Sequence, residues 1–337
     1  MTMPGCMGGW RWGVAHTLMA IFLVVMALSF LSVIRLELVV NGLLIGLIMA
    51  VGAIGLSLVY GILKFANIAQ GDFMTLGAYM CLFLLGTLFP RMNIQGTGLG
   101  PFTFGYPMLL ALPLVMVVLA TLAIGLDIGV YRRLRGRGVS TVVLAMTSLG
   151  VAIALRGAVQ VLWGGETEQY PRLSRQFYQA PMDVRIPPDG IFIGLVTVTL
   201  VVALYLFLSR TRMGKAMRAT SDNEELARVS GINTERVIWW TWAIGAALAA
   251  TAGILLAVFQ AQLLPIMGWR VLIPLFAAVI LGGIGNPFGA LVGALIIGVT
   301  SEVSTEWLSP SYKPAVAFLL MIATLLVRPT GIFGVKS

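Results

Sequence analysis

Residues 39–63 read VVNGLLIGLIMAVGAIGLSLVYGIL, a run without a single Asp, Glu, Lys or Arg. A helix needs about 20 mostly apolar residues to cross the hydrocarbon core of a bilayer, so this stretch is long enough to span it. Comparable runs recur along the chain, and we expect about ten membrane segments. They lie at 13–34, 39–63, 68–89, 107–130, 140–162, 190–208, 236–259, 270–283, 288–305 and 314–328.

Composition supports the same class. The chain has 337 residues, of which 59% are hydrophobic and 10% are charged, whereas soluble domains average about 25% charged. We therefore predict an all-α integral membrane protein that forms a single transmembrane domain over residues 1–337.

Two of the predicted segments are irregular. The first, 13–34, resembles a signal peptide in position, but its apolar run exceeds the usual 7–15 residues, which favours an uncleaved helix. The eighth, 270–283, is short and is followed by the Gly-Pro stretch 282–287, so it is either a short span or a re-entrant helix. Such a break is tolerated in a membrane where protein or a cavity surrounds it.

The basic residues indicate orientation. With both termini in the cytoplasm, the inner loops hold fourteen basic residues and the outer loops hold seven, which agrees with the positive-inside rule. The 132–137 loop alone carries four arginines and no acid. This distribution explains the net charge of +9 without a nucleic-acid partner. It also makes 164–189 a periplasmic connection.

Several kinds of chemistry find no support in the sequence. Cys6 and Cys81 are too few for a disulfide framework, and His16 is the sole histidine, so we predict no metal site, no catalytic residues and no cofactor bound by this chain. The sequence also has no Gly-x-x-x-x-Gly-Lys-Ser/Thr phosphate loop. Any use of ATP requires a partner subunit.

The longest predicted cytoplasmic loop, 209–236, has the pattern of two short helices. Ser221 and Glu224 match the spacing of a capping box at the start of the second helix, and Gly231 stands where a left-handed C-terminal cap is favoured. A helix of about two turns is not stable alone in water. On these residues alone, it either lies on the membrane surface or docks a motor subunit.

Four stretches of sequence, in order, resemble the high-affinity branched-chain amino-acid permeases of ABC importers. The first is 60–72, YGILKFANIAQGD, and the second is the loop from Gly214 to Arg236. The others are the Gly-rich turn AVILGGIGNP at 278–287 and RPTGIFG at 328–334. Together they extend from about residue 39 to the C-terminus.

The resemblance implies the fold of type II importer permeases, located in the bacterial inner membrane. It implies a heterodimer with a second related permease, two ATP-binding subunits that use ATP, and a periplasmic solute-binding protein. The 209–236 loop would then be the coupling loop. The residues that the resemblance assigns to ATPase coupling are Gly214, Ala219, Asp222, Asn223, Glu224, Ala227, Gly231 and Ile232.

The sequence identifies the transported solute less closely than it identifies the transporter family. Ile68, Gln70 and Asp72 stand where the family usually has Phe, His and Glu, and relatives of the family also carry urea and short amides. Branched-chain or related amino acids are the expected cargo, with urea or short amides as the alternative.

Polar residues within the apolar segments are the remaining candidates. Asn67, Gln70 and Asp72 either line the translocation pathway or sit at the cytoplasmic interface near a helix N-terminus. Asp127 adjoins the arginine loop, which predicts an interfacial ion pair. Arg156 is long enough to snorkel towards the outer interface, with contact to the substrate as the alternative.

Two further expectations concern the cytoplasmic end of segment seven and the mechanism of energy coupling. Trp239, Trp240 and Trp242 are expected to form an interfacial aromatic belt.

An ion-coupled secondary transporter is the rival function. It would depend on intramembrane carboxylates, for which Asp72, Asp127 and Glu302 are the candidates.

Overall fold

A computed structural model describes residues 36–94, 102–171, 178–180, 184–186 and 188–334. Its α-helices are α1 Leu36–Leu63, α2 Gln70–Phe83, α3 Pro107–Leu126, α4 Thr141–Trp163, α5 Pro188–Arg210, α6 Arg212–Asp222, α7 Glu224–Val229, α8 Thr234–Gln260, α9 Met267–Gly282, α10 Pro287–Val303 and α11 Lys313–Val327. Antiparallel pairing over three residues joins β1 Tyr178–Ala180 to β2 Val184–Ile186 between α4 and α5.

Two helices continue through a π turn. Helix α2 extends through Leu84–Leu88 to Phe89–Arg91, and α3 extends through Asp127–Tyr131 to Arg132–Gly136. The arginine stretch predicted as a loop is therefore mostly the last turn of a long helix. Short 3-10 turns at Ser304–Glu306 and Pro310–Tyr312 lead into α11.

Eight helices among the described residues are long and apolar enough to cross a membrane. Helix α9 is shorter, at sixteen residues, as the sequence predicted for the eighth segment. The first predicted segment, 13–34, lies outside the described residues. The nearly all-helical membrane fold is confirmed, while the count of ten spans and the cytoplasmic position of both termini stay predictions.

Helices α1 and α8 form the centre of the bundle. Helix α1 packs against α8 and α10, and α8 packs against α2 and α3 as well. Helices α3, α4, α5 and α11 lie outside and expose large apolar side chains such as Val161 and Leu326, which are 86% and 81% exposed. An apolar outer surface of this kind is stable in lipid and not in water.

Small residues set the closest helix contacts. A methyl group on Gly253 of α8 would lie 1.9 Å from the carbonyl oxygen of Met74 in α2. A methyl group on Gly268 of α9 would lie 1.8 Å from the carbonyl oxygen of Gly71. Glycine at these points lets the backbones touch, which is how helices associate in lipid.

The Gly-rich turn between α9 and α10 requires glycine for its conformation. Gly283 and Gly285 have φ of +107° and +82°, which other residues rarely adopt. The Asn286 side chain then caps α10 by accepting hydrogen bonds from the amides of Phe288 and Gly289, both at 3.1 Å. The C-terminal stretch closes this turn: the Ile332 amide donates to the Leu281 carbonyl at 2.8 Å.

Candidate functional site

Helices α6 and α7 lie within residues 211–232, which we call the coupling segment after the role predicted for it from the sequence, and each helix begins at a polar cap. The Thr211 hydroxyl accepts a hydrogen bond from the Gly214 amide at 2.9 Å. The Asn223 side chain accepts one from the Leu226 amide, also at 2.9 Å. These contacts satisfy amides that the first turn of a helix leaves free.

The predicted capping box of Ser221 and Glu224 is wrong. Ser221 lies in the last turn of α6, and its hydroxyl donates to the Gly61 carbonyl at 3.0 Å instead of capping α7. Asn223 takes the capping position, two residues later. Sequence spacing missed this because it gives no sign of the tertiary contact that occupies the Ser221 hydroxyl.

The predicted C-terminal cap is confirmed. Gly231 has a φ of +83°, and its amide donates to the Arg228 carbonyl at 3.1 Å. The Ile232 amide donates to the Ala227 carbonyl at 3.0 Å. This pair of hydrogen bonds is the Schellman motif, and it fixes the direction in which the chain leaves α7 towards α8.

The coupling segment packs on the membrane helices through its inner face. Gly214 and Ala227 are buried, while Ala219 and Ile232 are half-buried. A methyl group on Gly214 would lie 2.4 Å from the Phe207 carbonyl of α5, so this glycine permits α6 to fold back tightly against α5.

The opposite face of the segment is open. Asp222, Asn223, Glu224 and Gly231 are exposed, and so are the apolar side chains of α7 that lie between them. Leu226 is 62% exposed and Val229 is 81% exposed. A helix of six residues with two uncovered aliphatic side chains needs a further surface to stabilise it.

A reciprocal contact ties the end of α6 to the end of α1. Lys64 Nζ donates to the Ser221 carbonyl at 2.7 Å, while Ser221 Oγ donates to the Gly61 carbonyl. We call this pair of hydrogen bonds the clasp. Lys64 has a φ of +57°, a conformation uncommon outside glycine and asparagine, and the chain turns there from α1 into an irregular stretch.

Residues 65–69 form a non-helical stretch that runs into the bundle. Phe65 is buried against Tyr131 and Trp242, with ring centroids 5.6 and 6.4 Å away. The Ile68 amide donates to Ser148 Oγ at 3.0 Å. Irregular backbone inside a membrane protein requires such internal partners, since lipid supplies none.

Residues 65–69 place the predicted polar residues in the interior of the helix bundle. Asn67, Gln70 and Asp72 are all at most 1% exposed. Gln70 Nε2 donates to the Gly245 carbonyl of α8 at 3.2 Å, and Asn67 Nδ2 lies 3.4 Å from Gln70 Oε1. Among the described residues, Asn67 Oδ1 has no hydrogen-bond partner. Asn67 and Gln70 contact each other beside α8, whereas Asp72 has its partner on another helix; we call these three buried polar residues the buried cluster.

Asp72 pairs with Arg156 of α4. Arg156 Nε and Nη2 each lie 3.0 Å from one of the two carboxylate oxygens, and the guanidinium carbon lies 4.8 Å from the ring centroid of Trp269. Arg156 is about 22 Å along α4 from Thr141 at 1.5 Å per residue. Asp72 therefore lies well inside the bundle, and Arg156 turns inward to it and does not snorkel.

The sequence contained a signal for this pair that residue-by-residue reading missed. Charged side chains inside a membrane segment generally pair with one another, and Asp72 and Arg156 are candidates of opposite sign in the third and fifth predicted segments. The Trp269 contact had no such signal, because nothing in the sequence places the start of α9 beside α4.

The other carboxylates considered for ion coupling are paired as well. Asp127 accepts from Arg135 Nη1 at 2.7 Å and from Nη2 at 3.2 Å, which confirms the predicted ion pair. Glu302 pairs with Lys313. Within the described ranges, no group of three or more His, Cys, Asp or Glu side chains is placed to hold a metal ion.

The prediction of an aromatic belt is partly wrong. Trp240 is 47% exposed, but Trp242 is 1% exposed, and its ring lies 4.8 Å from that of Tyr131. Helical periodicity explains the difference, since residues two apart face different sides of a helix.

Comparisons with known proteins identify the family. The family model described as "Branched-chain amino acid transport system / permease component" matches residues 38–325. The chain belongs to this family. It is a permease subunit of an ABC importer, and a multi-pass protein of the inner membrane in bacteria.

Individual relatives agree over most of their length. The permease is similar to the high-affinity branched-chain amino acid transport system permease protein LivH of Salmonella typhimurium, with 34% identity over 87% of this chain and 94% of that protein. BraD of Pseudomonas aeruginosa is also 34% identical, over 89% of this chain and 95% of its own. A probable LivH of Methanocaldococcus jannaschii is 31% identical over 84% and 87%.

Proposed function

We propose that the permease imports branched-chain amino acids, working with a second related permease, two ATP-binding subunits and a periplasmic solute-binding protein. The observation that carries this proposal is the clasp, because it joins the open coupling segment to the stretch of chain that ends at the buried polar cluster. The names of the relatives supply the cargo class, since each is described as a branched-chain amino acid transport permease.

The open face of the coupling segment suits an ATP-binding subunit. The open face carries two exposed aliphatic side chains, Leu226 and Val229, next to the acidic side chains of Asp222 and Glu224. Apolar anchors within a polar rim are the usual composition of a protein interface. The acidic residues near the start of α7 also stabilise that helix through its dipole.

The clasp gives a route for movement. A displacement of α6 and α7 by an ATP-binding subunit pulls on Lys64 and Gly61 through Ser221. Residues 65–69 are short and well packed, so they transmit that displacement to Gln70 and Asp72 as a rigid connection.

The buried cluster is proposed to line the pathway. Asn67, Gln70 and Asp72 supply amide and carboxylate groups that suit the charged ends of an amino acid, within walls that suit its aliphatic side chain. All three are buried within this chain, so on this proposal they reach the pathway when the coupling segment moves.

The outer connections are proposed to meet the solute-binding protein. Asp189, at the start of α5, accepts from the Thr103 amide at 3.0 Å and from the Thr103 hydroxyl at 2.7 Å. This contact joins the 164–189 connection to residues 90–106, which link the third and fourth predicted segments on the same side of the membrane. The mixed charges of 164–189 suit steering and orientation of a partner.

Substrate-stimulated ATP hydrolysis tests the coupling role. The complete transporter carrying Leu226→Arg and Val229→Arg is expected to lose stimulation while remaining assembled in the membrane. The exposed Leu308 lies before α11 at the other end of the bundle, so Leu308→Arg serves as the matched control and should retain it. Unchanged stimulation in the double variant would remove the coupling assignment.

Uptake of labelled leucine and labelled urea by cells carrying the whole transporter tests the cargo. Leucine uptake that depends on the permease supports the proposal. Urea uptake without leucine uptake would overturn the cargo and leave the permease assignment intact.

A further inference from the structure

We propose that α3 carries a binding site for an anionic phospholipid, formed by an apolar groove for one acyl chain and by Arg133 and Arg137 for the headgroup phosphate. The site lies on the outer surface of the bundle, away from the coupling segment and the buried cluster. It does not depend on the proposed cargo.

The groove is shallow, open and about 480 Å³ in volume. It is lined by Val118, Thr121, Leu122, Gly125 and Leu126. The one polar group, the Thr121 hydroxyl, already donates to the Val118 carbonyl at 2.8 Å. The surface therefore offers no free hydrogen-bond donor to a ligand, and an alkyl chain suits it better than a polar peptide.

Glycines keep the path from the groove to the arginines clear. A methyl group on Gly125 or Gly129 would meet nothing within 4 Å. Gly125, Gly129 and Arg133 follow at intervals of four residues, about one turn each, through the π turn. They therefore lie along one side of α3, with Arg133 at its end.

The arginine cluster has charge that its neighbours leave uncompensated. Arg135 is held by Asp127 at 2.7 Å, and Arg132 Nε lies 3.3 Å from Glu235 Oε2. Arg133 and Arg137 are exposed, and no acidic side chain within the described part of the chain pairs with either. Two net positive charges therefore remain beside the membrane, on the side that the positive-inside rule assigns to the cytoplasm.

The spacing matches the dimensions of a lipid. At 1.5 Å per residue the groove extends from about 10 Å to about 22 Å from Arg133 along α3. One leaflet is about 20 Å deep when its headgroup layer is added to about 15 Å of hydrocarbon. A phosphate at the arginines therefore places its acyl chain along the groove. Charge complementarity selects an anionic headgroup, since the cytoplasmic leaflet attracts basic segments next to membrane helices.

The test measures lipid retained on the full-length permease. Protein is released from nanodiscs containing equal amounts of phosphatidylglycerol and phosphatidylcholine with identical acyl chains, and the bound lipids are counted by native mass spectrometry. The wild type is expected to retain phosphatidylglycerol selectively. Arg133→Gln with Arg137→Gln should lower that retention about 30-fold, since each basic residue near an anionic surface contributes roughly a factor of five.

Two controls separate this site from general attraction. Arg91→Gln with Arg270→Gln removes the same charge from exposed positions away from the groove, and it should leave retention unchanged. Gly125→Leu with Gly129→Leu fills the path without altering charge and should lower retention. Gly150→Leu, on α4, also meets open space and should have no effect.

Equal losses in the two arginine variants, or no loss in the Gly125/Gly129 variant, would overturn the site. A photo-crosslinker at position 121 that captures a protein chain in intact membranes, and no lipid, would also overturn it, because the groove would then be a protein interface.

Discussion

Arg156 and Asp72, 84 residues apart in sequence, meet in a two-pronged ion pair with both N–O distances at 3.0 Å. The pair joins α2 to α4, and Trp269 brings α9 to the same point. Neither residue is exposed enough for water to replace its partner: the Arg156 side chain is 19% exposed and the Asp72 side chain is 1% exposed.

The pair predicts a strong and non-additive effect on stability. Arg156→Gln leaves the buried Asp72 carboxylate without its partner, which costs about 3–5 kcal/mol for a buried pair. Asp72→Asn leaves the guanidinium unpaired and should be similarly damaging. The double variant removes both charges and is expected to melt at a higher temperature than the Arg156→Gln single variant.

Thermal unfolding of the four purified proteins in the same detergent forms a double-mutant cycle. Additive losses would mean that the two side chains do not interact, and would contradict the pairing.

The clasp predicts a loss of coupling. Ser221→Ala removes one hydrogen bond of about 1 kcal/mol to the Gly61 carbonyl, so the fold should persist while substrate-stimulated ATP hydrolysis falls. Ser209→Ala is the matched control, because the Ser209 hydroxyl donates to Tyr205 within its own helix at 2.7 Å. An equal loss of substrate-stimulated ATP hydrolysis in both variants would mean that the clasp has no role in coupling.

The close approach of α2 and α8 predicts a sharp size limit at Gly253. Gly253→Ala places a methyl group 1.9 Å from the Met74 carbonyl oxygen, and overpacking of this kind costs about 1–3 kcal/mol or more. Gly194→Ala on α5 meets open space and gains helix propensity. The melting temperature should fall in Gly253→Ala and should stay the same or rise in Gly194→Ala. The reverse order would contradict the close packing of α2 and α8.

The contact between Asp189 and Thr103 predicts that removing the Asp189 carboxylate loosens only the outer end of the bundle. Asp189→Ala removes both acceptors of Thr103, so limited proteolysis should cut the 90–106 connection faster while ATP-binding subunits still associate. Asp222→Ala removes an exposed carboxylate at the other end and should not alter that cleavage. Cleavage at the wild-type rate in Asp189→Ala would mean that the contact does not order the outer connections.

Periodicity and hydropathy predicted the membrane helices well, because a membrane span must be apolar over its whole length. The short α9 and the Gly231 cap were also predictable, as both follow from local residue types. The contacts of Ser221 and of Trp242 were not, since each depends on which distant element packs beside it. The sequence left the position of Asp72 open for the same reason: the non-helical 65–69 stretch enters the bundle through contacts with distant residues such as Ser148.

The closing of the α9–α10 turn by the Ile332 amide has a consequence for how the protein is made. The ribosome completes both helices of this hairpin and then α11 before residue 332 exists, and chains fold progressively as they are synthesised. The hairpin must therefore enter the membrane with its turn unsecured and be fastened afterwards. This end of the bundle therefore becomes rigid only after the C-terminal stretch has been synthesised and has reached the turn.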